Sequence, residues 1–173
     1  MNFLEKDLEE IIFNADKKML EERGLQLQGK LLRQKRIGNY GLADLIEITK
    51  PFYHPIYEQK IKGLINVIEL KKERVSVSSF FQALSYVKGI QSFLEKHKPD
   101  FENHFNYKIT LIGRTLDCES SLAYMPEFCH TDFYEDFVGM ENKLNVQIFT
   151  YKFDINGLSF NEEYGYALTN EGF

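Results

Sequence analysis

The chain has 173 residues, 43% of them hydrophobic and 27% charged, which suffices for one domain with its own core and excludes a disordered or fibrous protein. No apolar run approaches bilayer length, and the first residues lack the basic and apolar stretches of a secretory signal, so a cytoplasmic protein with no membrane partner is expected. The net charge of −5 hides a division: residues 1–74 carry 14 Lys and Arg against 12 Asp and Glu, a net of +2, and the remainder carry 7 against 14, a net of −7. Such an acidic total argues against general affinity for nucleic acid but leaves room for a local basic groove.

From Asn2 to about Glu22, apolar residues Leu4, Leu8, Ile11, Ile12, Ala15 and Met19 recur at helical spacing. This predicts one amphipathic helix with Asn2 as its N-cap and Gly24 as its stop. Glu5 and Glu9 lie one turn apart beside the apolar stripe, where a solvated pair suited to a helix N-terminus is the plainest reading. Leu25–Ile37 alternates imperfectly and reads as a strand whose end is crowded by Arg33, Lys35 and Arg36. Those cations suit either a solvated edge or contact with phosphate. Gly38-Asn39-Tyr40-Gly41 is a turn.

Leu42–Ile48 reads as the next strand. It contains Asp44, a residue type that strands disfavour, which either caps the preceding turn or has a chemical task. Residues 51–62, with two prolines and three aromatics, read as a long hairpin loop, and His54 within it as structural. The apolar run Ile65–Leu70 is then a buried strand, interrupted by Glu69 and followed by Lys71 and Lys72. Residues i and i+2 share a strand face, so Glu69 and Lys71 project together.

If these two strands form an antiparallel hairpin, its centre falls between Ile56 and Tyr57, and Asp44 sits across the ladder from Glu69. Two carboxylates so close repel, and one resists ionisation. A divalent cation removes that penalty. Mg²⁺ suits such a pair because it needs only one or two carboxylates and keeps several waters.

Ser76–His97 is a second helix, capped by serines and followed by Pro99, with Gln82 and Tyr86 one turn apart on one face. Tyr107–Gly113 is a strand. Residues 115–142 are irregular and acidic. Cys118, Cys129 and His130 there lack paired zinc-ligand spacing, and two cysteines are too few for a disulfide framework. Leu144–Phe153 and Leu158–Phe160 read as strands around a turn at 154–157, and the final ten residues are expected to fray. No repeat or linker divides the chain.

The order of elements, with Gly41-Leu42-Ala43-Asp44, Val67-Ile68-Glu69-Leu70-Lys71-Lys72 and Gln82-x-x-x-Tyr86 upon them, resembles the core of the PD-(D/E)XK nucleases, the restriction-endonuclease-like fold. The Gln-x-x-x-Tyr signature is similar to that of the RecB-like branch, and Glu5-Lys6-Asp7-Leu8 to the first helix of NucS-type nuclease domains. The likeness covers roughly residues 3–113, with 114–173 as an extension of one domain. It implies an α/β fold, a central mixed sheet flanked by helices in the order α-β-β-β-α-β, with extra strands at the C-terminus. Two departures stand out: the loop at 51–62 lengthens the interval from Asp44 to Glu69, and the acidic final third has no counterpart.

The resemblance implies a nuclease hydrolysing DNA, with RNA as a further candidate substrate. Asp44 and Glu69 would hold Mg²⁺ or Mn²⁺, with Glu5 completing the site and Glu9 second in line. The Leu70 carbonyl is a further candidate ligand. Lys71 would act on the attacking water with a lowered pKa, supported by Gln82 and Tyr86, and Lys30, Arg33, Lys35, Arg36 and Lys72 would contact phosphates. Because many relatives are dimers, a homodimer or protein partner joined through 144–160 is a further expectation. The alternative is a catalytically idle copy of the fold serving as a nucleic-acid or protein interaction module.

Overall fold

Ile65 and Val67 are buried against one layer of side chains and Ile68 and Leu70 against another. Their strand is therefore covered on both faces, as an unbroken apolar run requires. The computed structural model describes residues 4–55, 59–99, 104–117, 144–155 and 157–163. Two helices open it, α1 (Glu5–Asn14) and α2 (Lys17–Glu22). Strands β1 (Lys30–Arg36), β2 (Leu42–Thr49), β3 (Phe52–His54), β4 (Gln59–Ile61), β5 (Gly63–Leu70) and β6 (Arg74–Val75) follow. The long helix α3 (Val77–His97) comes next, then β7 (Phe105–Gly113), β8 (Thr115–Leu116), β9 (Asn145–Asp154) and β10 (Gly157–Glu162).

Six strands form one mixed sheet in the order β1-β2-β5-β7-β9-β10. The β1–β2, β2–β5 and β9–β10 pairs are antiparallel, and β5–β7 and β7–β9 are parallel. The segment from β5 to β7 runs through α3, the crossover that a parallel pair needs. On one face, Val67, Ile109 and Leu111 pack against Phe80, Ala83 and Val87 of α3. On the other, Ile68, Leu70 and Ile112 pack against Leu8 and Ile12 of α1 and Leu20 of α2. The result is an α/β architecture with helices on both sides of the sheet. No helix among the described residues is long and apolar enough to cross a membrane.

Three expectations change. The single first helix is two, because the Asp16 carboxylate accepts hydrogen bonds from the Lys18 and Met19 amides and starts a new helix. The first strand begins at Lys30, since the Gln28 and Gly29 amides donate instead to the Glu47 carboxylate. The 51–62 loop contains the β3–β4 pair. The extra C-terminal strands, β9 and β10, join the main sheet, where Val146, Ile148, Phe149 and Tyr151 are core residues. The thiols, His130 and residues 164–173 lie outside the described residues.

Candidate active site

The β2–β5 ladder pairs Leu45 with Ile68 and Thr49 with Leu64, and β3–β4 pairs Phe52 with Ile61. Both sets share one centre, between residues 56 and 57. The ladder ends at Leu45 and Ile68, and Asp44 and Glu69 are the residues just past that last pair on the two strands. Asp44 Oδ2 accepts a hydrogen bond from the Leu70 amide at 2.9 Å. Glu69 is 1% exposed. One of its oxygens accepts from Lys71 Nζ at 2.7 Å, and the other, Oε2, is buried without a hydrogen-bond partner.

Burial pushes the Asp44 carboxyl up to about 6, with the charges of Glu5 and Glu9 adding to it and the Leu70 amide and Lys71 opposing it. Burial likewise pushes Glu69 up to about 7, reinforced by the charge of Asp44 and opposed by Lys71. Burial pulls the Lys71 ammonium down, but the hydrogen bond to Glu69 and the charges of Glu69, Glu5 and Asp44 outweigh that and leave it above the ordinary lysine range. In the metal-free protein three carboxylates around one amine keep it protonated, whereas the lowered value is expected of a lysine beside a bound cation.

Helix α3 completes the cluster. Gln82 Oε1 lies 3.4 Å from Lys71 Nζ, and Gln82 Nε2 donates to the Tyr86 hydroxyl at 2.9 Å. The turn before β2 closes over that tyrosine. Gly41 has φ of 125°, and a Cβ there would stand 2.9 Å from a Tyr86 ring carbon, so only glycine fits.

The two first-helix carboxylates have different partners. Glu5 accepts from the Lys72 amide at 3.1 Å, which draws α1 onto the end of β5 beside Asp44 and Glu69. Glu9 is buried and is engaged by Arg33 Nε and Gln34 Nε2. Arg33 also lies over the Phe13 ring. Lys30, Lys35 and Arg36 are exposed on β1, and Lys72 is half-buried next to the cluster.

Two contributors escaped the sequence reading. Tyr151 of β9 donates from its hydroxyl to the Lys72 carbonyl at 2.6 Å, so the segment after Glu69 is held from both sides of the chain. Gln34 has φ of 48° between the pairs Arg33–Leu45 and Lys35–Ala43, which sets it opposite Asp44. A non-glycine residue in that conformation is strained, and strain of this kind gathers at working sites. Neither a tyrosine 79 positions downstream nor a backbone angle leaves a mark in the local pattern.

Among the described residues, no group of three or more His, Cys, Asp or Glu side chains closes into a preformed metal cage. The donor chemistry nonetheless fits a hard cation. The available ligands are oxygens, one of them is buried and unpaired, and both central carboxyls are held above their ordinary range, chiefly by burial. No family model matches the chain, and neither does a curated protein or a solved structure.

Proposed function

We propose that this protein is a Mg²⁺-dependent nuclease that hydrolyses DNA phosphodiesters, built on a restriction-endonuclease-like fold of the PD-(D/E)XK kind. The observation that carries this reading is Glu69. It is fully buried, bonded through one oxygen to Lys71, unpaired at the other, and close enough to Asp44 to feel its charge. A carboxylate in that setting costs stability unless a cation joins it. Asp44 and Glu69 are the residues that would hold the metal, with Glu5 beside them. When bound, Mg²⁺ supplies an acidified water and neutralises phosphate charge.

The protein's own groups supply the rest. Lys71 stays protonated and offers its ammonium to a phosphate oxygen, stabilising the charge that develops there. Glu69 and Gln82 fix the direction of that ammonium, and Tyr86 fixes Gln82. Glu5, through the Lys72 amide, holds the strand end against α1. The second reading, an idle fold used for interaction, draws on the lack of a three-residue metal cage among the described residues.

Cleavage of labelled single-stranded, duplex and flap DNA with Mg²⁺ or Mn²⁺ tests the proposal. Metal-dependent cutting is expected. Glu69→Ala should abolish it and Lys71→Ala should reduce it by roughly 10²–10³-fold, with circular dichroism unchanged. Absence of cutting on every substrate by folded wild-type protein would favour the idle fold.

A further inference from the structure

Asp44 and Glu69 share strand faces with Ile46 and Val67, in the layer under α3. The opposite face of the sheet, under α1 and α2, holds a second polar group. Its apolar layer includes Ile112, Phe149 and Phe160. Alternation along the strands sets Lys108 and Thr110 on the face of Ile112, Gln147 on that of Phe149 and Glu162 on that of Phe160. Thr110 has a partner, since its hydroxyl donates to Asn66 at 2.9 Å, and Asn66 donates in turn to Glu47. Lys108 differs: among the described residues its ammonium makes no hydrogen bond and no ion pair. Burial pulls it below the ordinary lysine range, against the charges of Glu47 and Glu162.

Lys108 instead lines a cleft of about 280 Å³, together with Gln147, Phe149 and Glu162 from the sheet and Glu21 and Gln26 from α2 and the segment after it. The rim is built into the fold. The Phe160 amide donates to the Arg23 carbonyl at 2.7 Å. Gly24 follows with φ of 93°, and a Cβ there would stand 2.2 Å from the Phe160 carbonyl oxygen, so only glycine lets this segment lie against β10. Gln26 Nε2 donates to Glu21 Oε1 at 3.3 Å, which joins the two at the rim.

Size and charge select the occupant. Pockets for drug-sized ligands begin at roughly 300 Å³, so this cleft takes something smaller. A simple anion would meet Lys108 but also the carboxylates of Glu21 and Glu162, and a simple cation would meet the lysine. A small molecule that carries both charges satisfies each side, and Phe149 adds an apolar surface.

We propose that this cleft binds a free amino acid, with its carboxylate on the Lys108 ammonium and the Gln147 amide, its amino group toward Glu21 and Glu162, and its side chain against Phe149. The site lies on the other face of the sheet from the carboxylate–lysine cluster and does not rest on the nuclease reading.

Isothermal titration calorimetry of the full chain is the test, with L-alanine, L-leucine and L-arginine as probes and with acetate and methylamine as their separate charged halves. At least one amino acid should bind with one site per chain, about tenfold or more tighter than either half. Lys108→Met and Glu21→Gln should each weaken that binding by about tenfold, and Asp44→Asn should keep it. Thermal melts of each variant confirm folding. Glu21 is exposed on α2, so its variant preserves the test should Lys108→Met not fold. No saturable binding of any of the three amino acids by folded wild type would overturn the proposal. So would acetate or methylamine binding as tightly as the amino acid, or amino-acid binding indifferent to Glu21→Gln and to a folded Lys108→Met.

Discussion

Glu47 and Glu69 are both buried carboxylates in neighbouring strands, and their surroundings separate scaffold from chemistry. Glu47 accepts hydrogen bonds from the Gln28 and Gly29 amides and from Asn66, which in turn accepts from Thr110, so both its oxygens are satisfied. Glu69 keeps one oxygen unpaired beside Asp44. The difference has a pH signature. Asp44 and Glu69, pushed up to about 6 and about 7, hold protons in the folded protein that the unfolded chain has already released. The unfolded state thus binds fewer protons between pH 4 and 7, and stability falls as pH rises through that window. The metal-free protein should lose on the order of 2 kcal/mol from pH 5 to pH 8 by denaturant unfolding, and Glu69→Gln should flatten that slope. A profile unchanged by the substitution would show that Glu69 is not the titrating group.

At the level of elements, the hairpin was the most legible part of the sequence. Its centre follows from symmetry between a turn-proximal Asp and the Glu of an apolar strand, and the pairing of β2 with β5 shares that centre. The extra length at 51–62 extends the hairpin through β3 and β4 without shifting register, so the site survives a longer interval. Helix α3 was equally plain, because its caps and periodicity are local. The break at Asp16 and the shortened β1 were not legible, since both depend on which carboxylate captures which amide. Tyr151 is the clearest case: its hydroxyl meets the Lys72 carbonyl only once β9 has joined the sheet. Tyr151→Phe should cost about 1 kcal/mol in denaturant unfolding, and the loosened Lys71–Lys72 segment should lower cleavage several-fold. Cleavage at the wild-type rate would confine Tyr151 to stability.

Across the whole molecule, the chain is less divided than its motifs suggest. Residues 114–173 read as an extension of a core at 3–113, yet β9 pairs with β7 in the sheet and its apolar residues close both core layers. Alternation along Leu144–Phe153 revealed the strand, but its neighbour is a matter of topology that no local pattern encodes. The site likewise draws on distant parts: α1 brings Glu5, the hairpin brings Asp44 and Glu69, and α3 brings Gln82 and Tyr86. The central claim is that Asp44 and Glu69 together hold one divalent cation. Mn²⁺ titration followed by electron paramagnetic resonance tests it most directly, on wild type, Asp44→Asn, Glu69→Gln and, as a control, Glu47→Gln. One bound ion per chain in wild type, weakened at least about tenfold in the first two variants and retained in any control that folds, is the predicted result. Equal Mn²⁺ binding by wild type and both site variants, or none by folded wild type, would contradict the account.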